Sequence, residues 1–494
     1  MACVPHTTFT KQSYHGPAVS ILDLPPEIQC NIFIFAHRDN SKTRAPRFPV
    51  EVILSHVCSA WRRTALKLPT LWTAFKFDSR LRVPDPAQKL EEYLSRSGTQ
   101  LLELYFSFSS YDNCQLRDFA LVETAILHTR RWHRFTLHSH WLYPALDLIN
   151  RFDKLYVPKL EYFALSGLLA TTGVSSRNVP IIDQLILTGA PRLYSVRMDT
   201  GILFRLNSLL PLLNITTLAI QGAARYGDSC RFRSDIFRSL LMIPNLTHLS
   251  IDSRICFDFT SIFSTANIPP LKMPSLRTLR ISQDDFLLDI LLYFDAPLLE
   301  TLVLHKVYLG RVDTSRDIDE INTLVQLETF ALLDCRYNYE CSAPNQNTLK
   351  RVDRILHKIA NCATHIIISS QCNRAFIQEG STLLDFNRYE WPRLQRITLD
   401  LAWSYSLMHN IRMLERSPHL INFRVVEAVL EQWARHPDAL TTLKKVCILD
   451  TMKVGDSMIE EPWPGSGGLF QENEDLQNKF IWNETFHAKG PTKR

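Results

Sequence analysis

One phrase, Pro-x-Leu-x-x-apolar-x-apolar, recurs along this chain and constrains its fold more than any other feature. Full versions begin at Pro158 (Leu160, Phe163, Leu165), Pro191 (Leu193, Val196, Met198), Pro244 (Leu246, Leu249, Ile251) and Pro274 (Leu276, Leu279, Ile281). Three more begin at Pro297 (Leu299, Leu302, Leu304), Pro392 (Leu394, Ile397, Leu399) and Pro418 (Leu420, Phe423, Val425), and versions without proline begin at Ile215, Leu327 and Leu443. The last two apolar residues of each phrase alternate as on a half-buried strand, and the leucine ahead of them packs beneath the entering turn. Most starts lie roughly 22 to 33 residues apart, which leaves room for one strand and one returning element.

Between phrases lie helical stretches such as Ser234–Met242, Asp284–Phe294 and Tyr405–Arg416, opened by Ser or Asp in the manner of helix caps. In the gap between Leu327 and Leu394, Leu349–Ala360 reads as a helix and His365–Ser369 as a strand, which supplies a divergent unit. Strand, crossover helix and parallel strand in succession make a solenoid. Leu101–Phe106 and Phe135–Leu137 have strand character and supply atypical first units, as the capping end of a stack requires. The expected fold is therefore α/β: a small all-helical N-terminal module (18–78), a connector (79–100), an irregular solenoid of parallel strands and helices (101–450), and a cap remnant with a partly disordered tail (451–494). The Pro/Gly-rich run Pro462–Gly468 marks that tail.

The helical module is read from Ile21 to Phe75. Pro25 and Pro26 suit an extended entry into a helix, Glu27 sits where the helix dipole favours an anion, and Ile28, Ile32 and Ala36 recur at helical spacing, with Phe33 and Phe35 widening the stripe. That helix ends near His37. A polar, basic loop from Arg38 to Pro49 follows, then two further helical stretches through Val52, Ile53, Val57, Trp61 and Ala65, stopped by Pro69. Leu71 and Trp72 form a large apolar anchor that requires burial.

Composition narrows the function classes. The 46% hydrophobic and 21% charged content is that of an ordered protein. A net charge of +5 from 55 Lys+Arg against 50 Asp+Glu is too small in 494 residues to argue for nucleic acid or a membrane surface. No stretch approaches eighteen uninterrupted apolar residues, and Met1–Ser13 lacks the pattern of a signal peptide, so an intracellular protein, cytoplasmic or nuclear, is expected. Eleven cysteines without a CxxC pair suit reduced thiols.

Several constellations carry no chemistry in this reading. Cys335 and Cys341 have no matching His cluster for zinc, and His128, His133, His138 and His140 lack a third ligand beside them. Phosphate, dinucleotide and hydrolase motifs are absent, and carboxylates such as Asp252, Asp284, Asp285 and Asp334 read as a solvated face. Neither enzyme activity, nor a cofactor, nor a metal is expected.

The segments LPPEIQCNIFIFA (24–36) and VCSAWRRTALKLPTLW (57–72) resemble an F-box, in the form frequent in fungal F-box proteins with leucine-rich-like repeats. The repeat region looks like the usual companion of that box. The resemblance implies binding to the Skp adaptor of a Skp, cullin and F-box ubiquitin ligase, with the repeats holding a target protein and no chemistry on this chain. By match to the family motif, Leu24, Pro25, Ile28, Ile32, Val57, Cys58 and Trp61 lie at or just under the adaptor surface, with Leu66 and Trp72 deeper. The loop Arg38–Arg47 departs from the compact family pattern. An apolar cluster too large for so small a unit to cover agrees with a partner site; the alternative is a structural cap on a non-ligase scaffold. Residues turned outward near the strands, Thr247, Arg277, Thr301 and Arg396, are the candidates for target binding.

Overall fold

The computed structural model describes residues 24–39, 49–79, 85–108, 116–139, 151–152, 155–166, 189–199, 214–221, 242–252, 271–282, 294–307, 324–333, 346–369, 390–400, 419–426 and 447–452, with isolated positions at 21, 291, 335, 434, 437, 440–441 and 444. Three helices come first: α1 (Pro26–Asp39), α2 (Val50–Val57) and α3 (Ser59–Lys67), closed by a tight helical turn over Pro69–Trp72. Strand β1 (Ala74–Asp78), helix α4 (Pro86–Arg96), β2 (Leu102–Phe108), α5 (Leu116–Ile126), β3 (Trp132–Ser139), β4 (Tyr162–Ser166), β5 (Ser195–Asp199), β6 (Thr217–Gln221) and β7 (His248–Asp252) follow. The remainder comprises β8 (Leu271–Lys272), β9 (Thr278–Ser282), β10 (Phe294–Asp295), β11 (Thr301–His305), β12 (Thr329–Leu333), α6 (Gln346–Ala360), β13 (His365–Ser369), β14 (Arg396–Asp400), β15 (Asn422–Val426) and β16 (Ile448–Met452).

Fourteen of these strands form one sheet, hydrogen-bonded in chain order from β1 to β16, while β8 and β10 pair separately. The pairings in the large sheet are parallel, a geometry that requires long crossover connections between strands. The register aligns the phrase from strand to strand: Leu249 opposes Leu279, Leu279 opposes Leu302, and Ile251, Ile281 and Leu304 follow two residues on. These residues are buried, and so are the leucines that enter the strands, Leu160, Leu193, Leu246, Leu276, Leu299, Leu327 and Leu394. The result is one continuous apolar core from Phe33 to Cys447.

A further buried row lies just ahead of the proline position: Val157, Ala190, Ile243, Met273, Ala296 and Leu324, with Trp391 in the same place. The carbonyl of each accepts the N–H of the leucine three residues on, for example Leu160 N to Val157 O (3.1 Å) and Leu299 N to Ala296 O (3.1 Å). Each of these seven strands is thus entered through a β-turn whose two end residues face the core, with proline pre-setting the backbone in all but the turn at Leu324, where Val325 takes its place.

At the N-terminal end the core is aromatic. Phe75, Phe106, Phe135 and Phe163 lie about 6 Å apart from strand to strand, with Trp132 stacked on Phe135 at 4.3 Å. Trp72 and Trp132 repeat one device, since each indole N–H donates to a helix carbonyl seven residues back, Ala65 O (2.9 Å) and Ala125 O (3.1 Å). Those bonds satisfy helix C-terminal acceptors while sinking a large ring beneath the following strand.

Several expectations are corrected. The sheet begins at β1, inside the span read as the helical module and well before Leu101, because Phe75 and Phe77 alternate inward and pair with β2. The connector 79–100 holds α4, capped by the Asp85 side chain accepting the Gln88 N–H at 3.1 Å and by Pro86 in the first turn. The unit placed at Leu443 is out of register: Ile448 pairs with Asn422 and is 63% exposed, while Leu449 turns to the core. A shift of odd length carries a strand residue to the opposite face.

The strands are also not half-buried throughout, for Arg197, Arg280, Val303, Ala331, Ile367 and Thr398, which alternate to the other face of the sheet, are all 5% exposed or less. Each of them is flanked by a paired strand on both sides. Phe294, the expected end of a helix, is strand. Most of Ser234–Met242 and Asp284–Phe294, all of Tyr405–Arg416, and residues 453–494 lie outside the described residues. No helix among the described residues is long and apolar enough to cross a membrane.

Candidate functional site

The helical module presents two faces of opposite character. Inward, Phe33 is fully buried and meets Trp61 edge-on at 4.9 Å, with Leu54, Ala65, Leu71 and Trp72 completing the packing. Buried Gln29 donates from Nε2 to Leu24 O (2.9 Å), which ties the entering segment back onto α1. Arg62 Nε donates to Ser55 O (2.8 Å) and the Cys58 sulfur accepts the Trp61 N–H at 3.5 Å, fixing the sharp step from α2 to α3.

Outward, Ile28 (45%), Ile32 (36%) and Phe35 (75%) form one exposed stripe on α1, spaced by four and three residues. Ile53 (45%) and Val57 (56%), four apart, form a second on α2. Pro25 is exposed, and Leu24, Cys58 and Trp61 are half-buried. The seven residues expected at an adaptor surface are therefore split between exposed aliphatic positions and the half-buried floor beneath them. Trp72 lies deep as expected; Leu66 does not, being 37% exposed, because Ala65 rather than Leu66 takes the inward position of α3. Phe35 and Ile53 were not among the expected residues, although helical spacing from Ile28, Ile32 and Val57 marks both.

A polar junction holds this module to the first strands. The Tyr93 hydroxyl on α4 donates to Glu51 Oε1 on α2, and His37 Nδ1 on α1 lies 3.4 Å from Glu51 Oε2. Glu51 is only 4% exposed. Burial first, then the Glu51 charge and its hydrogen bond, hold the Tyr93 hydroxyl above its ordinary range, so it stays a donor. Burial lowers the pKa of Lys89 although Glu51 opposes the shift. Trp72 meets Tyr93 edge-on at 5.1 Å and the Arg96 guanidinium lies over Trp72 at 4.4 Å.

The second candidate region is the entry edge of the sheet. Thr247, Arg277 and Thr301 come together there: Arg277 N donates to Thr247 O (2.8 Å) and Thr301 N to Arg277 O (2.9 Å). Thr247 Oγ1 donates to Thr216 O (2.9 Å), and Arg277 is ion-paired with Glu300. Arg396 is exposed but stands three strands from Thr301, on the order of 14 Å at ordinary strand spacing, so the four do not form one cluster. These arginines act on histidines beside them. Burial, then Arg280 and Arg277, pushes His248 down to about 4, and burial, then Arg396 and Arg424, does the same to His365. The inner His305 is held at about 3 by burial and then Lys306.

Of the histidine group at residues 128–140, His133 pairs with Glu161 (3.1 Å) and His138 Nδ1 lies 2.9 Å from Ser166 Oγ, so their partners come from the adjacent strand and its entry turn. His140 and Cys341 lie outside the described residues, and Cys335 is buried with its sulfur 3.3 Å from Leu304 O. No protein-family model matches the chain, and no curated protein is similar to it in sequence.

Proposed function

We propose that this chain is a non-enzymatic substrate receptor of a Skp, cullin and F-box type ubiquitin ligase, working inside the cell. The observation that carries the reading is the concentration of exposed aliphatic surface on α1 and α2, in residues whose pattern resembles an F-box. An aliphatic stripe of this kind on a small helical unit is stable in water only at a cost, and surfaces of that kind serve partners. The helical module is the adaptor-binding part, with Ile28, Ile32 and Val57 in direct contact and Leu24, Cys58 and Trp61 supporting them.

In this reading the fourteen parallel strands are a leucine-rich-repeat-like solenoid and hold a target protein. The turns entering the strands, where Thr247, Arg277 and Thr301 lie side by side, offer a polar surface suited to a protein partner. Thr247, Arg277 and Thr301 would contribute together and Arg396 separately. The Arg277–Glu300 pair is exposed and gives up little when a partner displaces it.

A second reading has an observation of its own. The module shares a core with β1 and α4 through Trp72, Tyr93 and Glu51, which suits a structural cap on a non-ligase scaffold. Size-exclusion chromatography with purified Skp adaptor separates the two. The adaptor reading expects co-elution of the intact chain and its loss in Ile32→Asp with an unchanged circular dichroism spectrum. Failure of the intact chain to co-elute leaves the cap.

A further inference from the structure

We infer that the surface which covers the apolar stripes of α1 and α2 is that of an acidic protein, and that α3 supplies the cationic rim which draws it in. The inference rests on the adaptor reading and adds the chemistry of the partner face. The exposed Leu66 is bracketed on α3 by Arg62, Arg63 and Lys67, all exposed, one turn apart or less. Residues 24–73 hold seven Lys and Arg against three Asp and Glu, a net of +4 in a chain whose total is +5. Of the seven cations, Arg62, Arg63 and Lys67 lie on α3, and Arg38, Lys42, Arg44 and Arg47 lie in the sequence between Ala36 and Pro49.

The structure removes one of those three acids from the surface. Glu51 is buried in the junction with Tyr93 and His37, where it neutralises nothing outside. Arg62 keeps its place through Ser55 O, whereas Arg63 and Lys67 carry no ion pair among the described residues. Aliphatic stripes beside unpaired cations match a protein surface that is apolar at its centre and acidic at its margin. A nucleic acid would call instead for aromatic platforms, and of the five stripe residues only Phe35 is aromatic.

The test measures association and dissociation rates of the intact chain with purified Skp adaptor across a salt series. Arg63→Glu with Lys67→Glu, a pair whose side chains hold no structure together, is compared with Lys350→Glu and Arg354→Glu, the same charge change at exposed positions of α6. The inference expects the α3 variant to associate about ten-fold more slowly at low salt, with dissociation nearly unchanged and a flatter salt dependence, and the α6 variant to behave as the unaltered chain. Equal rates for the α3 variant overturn the acidic-partner inference and leave the adaptor reading standing. Absence of binding by the unaltered chain overturns both. Tighter binding to a single-stranded oligonucleotide than to the adaptor, lost in the α3 variant, overturns the inference in favour of nucleic acid.

Discussion

The Glu51–Tyr93 hydrogen bond joins residues 42 apart in sequence and bridges the helical module to the first strand–helix unit. Removing its donor with Tyr93→Phe leaves a carboxylate that is 4% exposed, with His37 Nδ1 at 3.4 Å. A hydrogen bond to a charged group contributes about 1.5 to 3 kcal/mol, and the stranded acceptor adds to the loss. Glu51→Gln keeps the volume and a neutral acceptor, so it forfeits the charge assistance but also the cost of burying the charge, and its loss should be the smaller. With both replaced the loss should fall short of the sum by about 1 to 2 kcal/mol, the signature of a direct pair. Urea unfolding of the four proteins, followed by circular dichroism, measures this coupling. Additivity within about 0.5 kcal/mol would refute the junction as a stabilising link between module and sheet.

Two further outcomes follow from the sheet. His305 is neutral in the fold because burial and Lys306 hold it near 3, whereas the unfolded chain takes up that proton near 6.5. Stability is therefore lost as pH falls below 6.5, by about 2 kcal/mol between pH 7 and pH 5 from this residue alone; unfolding of His305→Gln at the two pH values should show a pH dependence smaller by that amount, and an undiminished dependence would contradict the assignment. At Gly189 a Cβ would stand 2.2 Å from the Leu155 backbone oxygen, beside the Val157 N–H to Gly189 O bond. Gly189→Ala should cost about 2 kcal/mol by forcing the two chain segments apart, and a thermal midpoint equal to that of the unaltered chain would rule out so close an approach.

The strands were legible in the sequence wherever the phrase had its ordinary spacing. Leu279 with Ile281 and Leu302 with Leu304 lie where the pattern put them, because a two-residue alternation behind a fixed leucine permits only one face. β1 escaped notice for a specific reason. Pro69, Leu71, Phe75 and Phe77 follow the same phrase with one additional residue, which the turn over Pro69–Trp72 absorbs. The buried row ahead of the prolines was invisible as a pattern, since Val157, Ala190, Met273 and Trp391 differ too much in size to register as one position.

Within the candidate site, spacing alone was enough to mark Phe35 and Ile53. The inward turn of Ala65 in place of Leu66 was not readable, because a nine-residue helix with apolar Ala60, Trp61, Ala65 and Leu66 allows two orientations. Packing of Trp61 on Phe33 decides between them. The Glu51–Tyr93 junction was equally hidden, as nothing local to either residue announces a partner so distant in sequence.

Isothermal titration of the intact chain with purified Skp adaptor, repeated at several temperatures, tests the central claim most directly. The account predicts one adaptor per chain, a negative heat-capacity change from burial of Ile28, Ile32, Phe35, Ile53 and Val57, and a loss of about 1 kcal/mol or more for each of Ile28→Ala and Val57→Ala. Absence of binding heat at every temperature, or affinities unaffected by both replacements, would contradict an adaptor site on α1 and α2.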